Sequence, residues 1–221
     1  MRTHARLFLG AAVACLAAAA GCDQAAWLGH QILAPIMPPD KVQAQYDLKG
    51  KSLLVLVDVH EPELAGDFPQ LQSRLTDSIA NVLTENKASG PIVPAYSVES
   101  ARRQEPDFPK WSVAKIGRYF NTDLVLHVVV YEFRVRDNPG SSVLDGFAEA
   151  TVRIVSPETE EQKWPLLATA RQVSARTLPD IDPVEDPALL ERILTDGFGD
   201  KIARHFFTYE VDSLPLRPKV E

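Results

Sequence analysis

The sequence predicts an α/β sandwich: a mixed sheet in the order β-α-β-α-α-β-β-β-α, with helices packed mainly on one face. Three observations predict it. Ser52–Asp58 (SLLVLVD) and Asp123–Arg136 (DLVLHVVVYEFRVR) are continuous apolar, β-branched runs of the kind buried on both faces. Leu71, Leu75, Ile79 and Val82, and later Leu190, Leu194, Phe198, Ile202 and Phe206, recur at helical spacing. After Arg136 the pattern switches to alternating segments separated by turn residues, the mark of an antiparallel meander.

Taken in order, the first strand is bounded by Gly50-Lys51 and by His60-Glu61-Pro62. After an acidic loop, Asp67 is placed to cap a helix from Phe68 to about Asn86, with Pro69 tolerated in its first turn. Pro91–Ser97 reads as a short second strand, parallel to the first through a right-handed crossover, with Pro94 favouring an outer position. Val98–Gln104 reads as a short helix. Trp111–Phe120 reads as another, with Val113, Ile116 and Phe120 on one stripe and Asn121 as a left-handed stop. Asp123–Arg136 is the strongest strand, and its second half alternates, with Tyr131, Phe133 and Val135 inward against Glu132, Arg134 and Arg136. Asp137–Gly140 is a turn. Val143–Val155 returns as a strand, Pro157–Glu160 turns again, and a third strand lies near Gln162–Arg176. An acidic, Pro-rich connection leads to a last helix that opens at Pro187 behind Asp186, with Gly197 and Gly199 weakening its middle.

The chain has 221 residues, is 45% hydrophobic, and carries a formal net charge of −7, enough apolar content for one folded domain with accessory segments. The acidic balance argues against a nucleic-acid partner, whose phosphates require a basic face. The two cysteines, Cys15 and Cys22, both lie in the first tenth of the chain, so the folded part holds neither a disulfide framework nor a cysteine-based zinc site.

Residues 1–21 have the organisation of a secretory leader. Arg2 and Arg6 form a positive start, and Leu7–Ala20 form an apolar run too short to span a bilayer. The run ends in Ala19-Ala20-Gly21-Cys22, which resembles the bacterial lipobox. That resemblance implies cleavage before Cys22 and acylation of the cysteine with chains such as palmitate. Several such chains, at about 0.8 kcal/mol per buried methylene, anchor a protein stably. Asp23 follows, a position that in enteric lipoproteins biases toward the inner membrane. Removing Arg2 and Arg6, with no acid in the leader, takes the net charge from −7 to −9. So acidic a body gains nothing from an anionic lipid surface, and the lipid is expected to hold it there. The expected organisation is a signal peptide (1–21), an acylated Pro-containing tether (22–50), one α/β domain (51–210) and a flexible tail (211–221). Apolar residues from Trp27 to Met37 are expected to pack on the domain, or else to lie at the bilayer interface.

The quoted runs, with IANVLTENKA, IVP, IGRYFNTDLVLHVVVYEF and IVSPETEEQKWP, are together similar to a group of envelope proteins. The group comprises the penicillin-binding-protein activator lipoproteins, the curli-secretion lipoprotein and the N-terminal domain of the Tol–Pal β-propeller protein. Its marks here are a helix leading into Thr122-Asp123-Leu124-Val125 and a hairpin turn before a strand with Trp164. The resemblance implies a periplasm-facing, membrane-anchored binding or adaptor module for an envelope complex, in peptidoglycan synthesis or in secretion and assembly. It also leaves self-association open, including a secretion-channel subunit.

The residues themselves do not spell catalysis. No G-x-S-x-G elbow, S-x-x-K or H-E-x-x-H occurs, and no catalytic residue, cofactor or metal is expected. The alternative is a small hydrolase or metal-binding protein with a cleft at His60-Glu61-Pro62-Glu63, at the carboxyl edge of the first strand. His127, inside the strongest strand, is expected to be buried and hydrogen-bonded; His205 is expected at a helix C-terminus, and His30 in the tether. Asp196-Gly197-Phe198-Gly199-Asp200 lacks the ligand spacing of an EF-hand. Trp111, Tyr119, Phe207 and Tyr209, near Arg102-Arg103 in sequence, are candidates for a partner surface. Core packing for these aromatics and solvation for the arginines is the favoured reading.

Overall fold

A computed structural model of the chain describes residues 41–136, 144–167, 169–177 and 186–211. Val42–Tyr209 lie in one compact unit, whose fold follows. Of a second unit, Lys41, Glu210 and Val211 are described, with Lys41 and Glu210 forming an exposed ion pair at 3.2 Å. The elements are β1 (Lys41–Val42), β2 (Leu53–Val59), α1 (Pro62–Asp67), α2 (Leu71–Glu85), α3 (Ala95–Gln104), α4 (Val113–Tyr119), β3 (Leu124–Arg136), β4 (Leu144–Val155), β5 (Gln162–Trp164), β6 (Arg171–Arg176), α5 (Pro187–Ala203) and β7 (Tyr209–Glu210). Short 3₁₀ turns cover Phe108–Lys110 and Arg204–Phe206.

The α/β class and the mixed sheet are those the sequence predicts. β2 runs parallel to β3, β3 antiparallel to β4, and both β5 and β6 pair antiparallel with β4. The two long helices share one face. There α2 and α5 cover Leu53, Val55 and Val57 of β2, Leu126, Val128 and Val130 of β3, and Ala148, Ala150, Val152 and Ile154 of β4. The α5 stripe Leu190, Leu194, Phe198, Ile202 and Phe206 is at most 3% exposed throughout. Each such side chain is worth about 1.5–3 kcal/mol of burial. The shorter helices lie on the other face: Val98 and Ala101 of α3, Phe108, and Ile116 of α4 pack on Leu54, Leu56 and Val125. Among the described residues that cover extends over β2 and the start of β3 and leaves the rest of this face open.

Several elements depart from expectation for identifiable reasons. Pro91–Ser97 is not a strand. Leu53 donates to the Pro91 carbonyl at 2.9 Å, Val93 donates back to Leu53 at 2.9 Å, and the pairing stops at this single bridge. Pro94, which has no N–H, sits extended (φ −63°, ψ 143°) at the N-terminus of α3, so Ala95 and Tyr96 are helical. The parallel neighbour of β2 is therefore β3. The acidic loop after β2 contains α1, with Pro62 in its first turn, and Asp67 ends that helix instead of capping the next. Helix α2 starts at Leu71, after Phe68 has turned edge-on to Phe133 at 4.9 Å. Leu83, fully buried, completes the α2 stripe, while Val82 is only partly covered.

In β3 the inward residues change parity. Val128 and Val130 are buried, as is Phe133, but Tyr131 is 42% exposed, against its predicted inward position. A register shift between Val130 and Glu132 inserts the extra residue that carries Phe133 and Val135 back to the core face. The expected third strand is two: β5 pairs with β4 at Ile154 and β6 pairs with it from Phe147 to Val152. Pro165 lies directly after β5, where its missing N–H ends the ladder. Asn121 has the left-handed backbone predicted for it (φ 53°). Asp186 caps α5 by accepting from the Ala188 amide at 2.9 Å. Gly199 does not merely weaken α5: a Cβ there would lie 2.7 Å from the Ser78 Cβ, so glycine sets how closely α5 approaches α2. Tyr46 and Leu48, in the stretch expected as tether, pack on the first core cluster, and Leu48 is fully buried.

Candidate functional site

The open part of the second face begins where the apolar cover ends. Along β2 the residues on this face are Leu54, Leu56 and Asp58, so the apolar run terminates in a carboxylate at the carboxyl end of the strand. In β3 the matching residues are Val125, His127 and Val129, and His127 lies directly opposite Arg153 of β4. Three adjacent strands thereby place Asp58, His127 and Arg153 side by side.

The Arg153 Nε donates to His127 Nδ1 at 3.1 Å. An arginine never accepts, so Nδ1 is the unprotonated nitrogen and Nε2 carries the hydrogen, which it donates to Asp58 Oδ2 at 2.9 Å. The other Asp58 oxygen accepts from Arg102 of α3 at 2.7 Å, and the same Arg102 nitrogen donates to the Val57 carbonyl at 2.9 Å. Arg102 also lies over the Phe108 ring at 5.4 Å. Burial pushes the Asp58 carboxyl up, but the hydrogen bonds from His127 and Arg102 and the Arg102 charge outweigh it, leaving it below the ordinary carboxylate value. The His127 side chain is 8% exposed. This imidazole is a clamp across three strands, with both ring nitrogens committed.

Beside it is an open groove of about 510 Å³, lined by His127, Val129, Tyr131, Thr151, Arg153, Thr169, Ala170 and Gln172. Thr169 and Ala170 come from the segment between β5 and β6, which also carries Leu166 (84% exposed) and Leu167 (102%). His60 is exposed at the end of β2, its ring 4.7 Å from that of Tyr131, and its amide donates to the Val130 carbonyl at 2.8 Å. Among the described residues, no three His, Cys, Asp or Glu side chains are grouped to hold a metal. Glu61 precedes α1 and Glu63 lies in its first turn.

The remaining candidates are scattered. Trp111 and Tyr119 belong to an aromatic chain running Phe108–Trp111–Tyr119–Phe120 at centroid separations of 5.4, 5.3 and 5.0 Å, with Lys115 Nζ 4.1 Å over Trp111. Tyr119 is 49% exposed. Phe207 packs on the first cluster, and Arg204 covers Tyr209 at 4.8 Å. Arg103 is exposed, but Arg102, expected to be solvated, is half-buried in the ion pair with Asp58. His205 lies after α5 against Trp164 at 5.6 Å, and burial, then the charges of Arg171 and Lys201, push its pKa down. Asp196–Asp200 is continuous helix. Cys22, His30 and the turn at Asp137–Gly140 lie outside the described residues. No described helix is long and apolar enough to cross a membrane. Sequence reasoning missed Asp58 and Arg153, and it read Arg102 as solvated where it pairs with Asp58. The available signal was a lone histidine in an apolar strand, which needs partners from neighbouring strands.

No protein-family model matches the sequence, and no curated protein matches it. Solved structures do. The lipoprotein GNA1162 from Neisseria meningitidis aligns with 65% of this chain and 92% of its own, at 21% identity and a TM-score of 0.44. Bacterial lipoproteins thus stand among its structural neighbours. The PelC dodecamer from Paraburkholderia phytofirmans aligns with 75% of this chain and 96% of its own, at 12% identity and a TM-score of 0.44. The LpoB C-terminal domain from Salmonella enterica aligns with 66% of this chain and 93% of its own, at 16% identity and a TM-score of 0.34.

Proposed function

We propose that this chain is an envelope lipoprotein whose α/β domain is a non-catalytic binding module for an envelope protein complex of peptidoglycan synthesis, secretion or assembly. In this reading the leader 1–21 is removed, Cys22 carries the acyl chains, residues 22–50 lead from the membrane, and the domain (51–210, with tail 211–221) faces the periplasm. The leader supports the anchoring half: Arg2 and Arg6, a short apolar run, and a cysteine placed after Ala19-Ala20-Gly21. The observation that carries the binding half is the commitment of His127. A general base needs a free ring nitrogen within reach of a substrate proton. Here Nδ1 accepts from Arg153 and Nε2 donates to Asp58, so the buried histidine beside the groove holds the sheet face instead of working on a ligand. The groove then offers donors and shape, which is what recognition requires.

In-cell crosslinking of the acylated chain, with Cys22→Ser as the untethered control, tests this. The expected result is one dominant envelope protein that is lost or weakened in the control. Mass spectrometry of the purified chain is expected to find an acylated Cys22 as its first residue. Self-crosslinks alone, or detergent-stable rings, would replace the adaptor by an oligomeric channel subunit. A bound metal lost on His60→Ala would replace it by the His60 cleft.

A further inference from the structure

Arg153 is held in an unusual way. Its Nε is fixed by a neutral imidazole nitrogen instead of a carboxylate, and no carboxylate among the described residues pairs with its terminal amino groups. Acids on this face, Asp58 and Glu149, are engaged elsewhere, and Glu132, opposite Glu149, accepts from Arg134. Asp58 is taken by Arg102 and His127, and Glu149 of β4 accepts from the Gln172 amide. The guanidinium therefore brings a positive charge with no carboxylate on its terminal nitrogens to the lining of a groove whose other polar groups include Tyr131, Thr151, Thr169 and Gln172. The planar fork of a guanidinium matches a carboxylate through two parallel N–H···O bonds. A dianion would call for a second cation, and Arg102, on the far side of the His127–Asp58 bridge, is spent on Asp58. Leu166 and Leu167, both largely or fully exposed, stand shortly before Thr169 and Ala170 in the β5–β6 segment that supplies one groove wall.

We infer that the groove on the β3–β4–β6 face binds an acidic side chain of a protein partner, its carboxylate on Arg153 and its flanking apolar residues on Leu166 and Leu167. The inference rests on the reading that this face binds instead of catalysing, and it gives that reading a ligand chemistry. His127 is a positioning residue here: by accepting from Nε it turns the terminal nitrogens toward the groove.

The test is fluorescence anisotropy on the full acylated chain in detergent, with a labelled, end-blocked pentapeptide Gly-Leu-Glu-Leu-Gly as probe. Unlabelled competitors are its Gln counterpart, acetate and inorganic phosphate. Saturable binding of the Glu peptide is expected, with the Gln peptide weaker by about tenfold or more, the worth of one charge-assisted pair. Arg153→Gln is expected to lose the same factor, with its unfolding midpoint measured alongside because His127 Nδ1 loses its donor. If Arg153→Gln folds poorly, Arg153→Lys, which keeps the charge but not the fork, is expected to weaken the Glu peptide more than acetate. Leu166→Ser with Leu167→Ser should weaken the peptide and leave acetate unaffected. Four results would each overturn the assignment: equal binding of the Gln peptide, undiminished binding by the Arg153 variants, phosphate competing better than acetate, or no saturable binding at millimolar peptide. Acetate matching the peptide would reassign the groove to small free carboxylates and overturn partner docking. The binding-module reading fails separately. A partner crosslinked equally by wild type and Arg153→Gln leaves that reading intact and removes the carboxylate assignment alone.

Discussion

Gly199→Ala should destabilise the domain although alanine is the better helix former. Residue 199 lies inside α5, where replacing glycine by alanine gains about 0.8–1 kcal/mol from propensity alone. Against this, the added Cβ would stand 2.2 Å from Ser78 Oγ, 2.7 Å from Ser78 Cβ and 3.2 Å from the Ile79 backbone nitrogen. Rotating the serine hydroxyl removes only the first contact, and it gives up the bond from Ser78 Oγ to the Asp196 carbonyl (3.3 Å), worth about 0.5–1 kcal/mol. The remaining contacts involve atoms fixed to the α2 backbone, so the two longest helices must separate over a fully packed interface, at about 1–3 kcal/mol. The net expectation is a loss of about 1–3 kcal/mol, seen as a lower urea midpoint at unchanged slope. Gly197, two residues away, has nothing within 4 Å of its virtual Cβ, so Gly197→Ala should instead gain about 0.5–1 kcal/mol. Ser78→Gly in the Gly199→Ala background should recover part of the loss, giving a favourable coupling in the double-mutant cycle. If Gly199→Ala proves as stable as Gly197→Ala, close helix approach is not what glycine provides there.

Three further outcomes follow from the same geometry. His127→Leu leaves Arg153 Nε and one Asp58 oxygen without their partner and should lower stability by about 1–3 kcal/mol in chemical denaturation, while the Asp58 carboxyl moves back up in an NMR titration. Because Asp58 titrates lower when folded than when unfolded, its stabilisation is complete above the ordinary carboxylate value of about 3.9 and fades as pH falls through the folded value. Asp58→Asn should therefore flatten the acid limb of the stability–pH curve below about pH 4; an equally steep limb would refute the assignment. Leu166→Ser with Leu167→Ser should leave the unfolding midpoint within about 0.5 kcal/mol of wild type, since neither side chain is buried.

What could be read from the sequence was what a local window encodes. The α5 stripe, its Asp186 cap, the left-handed Asn121 and the two apolar strands all follow from periodicity and single-residue preferences. Pro91–Ser97 was misread because a strand must be paired along its length, and two prolines stop that pairing after Ile92. The exposed Tyr131 looked like a core residue because alternation was assumed continuous, whereas the parity change from Val130 to Phe133 required a bulge between them. The candidate site was the least legible. His127 was visible as a lone polar residue needing partners, but Asp58, Arg102 and Arg153 are 69, 25 and 26 residues from it in sequence and meet only through sheet register and the return of α3 over β2.

The divided edge of β4 separates two jobs within one groove. Arg153, Thr151 and His127 are fixed by ladders continuous with the core, so their positions move only if the sheet moves. Thr169 and Ala170 belong to the excursion between two short strands, both of which are already secured on β4. Length or sequence changes in that excursion reshape one wall and leave the charged floor in place. In the proposed reading, related chains keep the same cationic handle and exchange the flanking residues they accept, so that partner choice is adjusted by a surface insertion at little risk to folding.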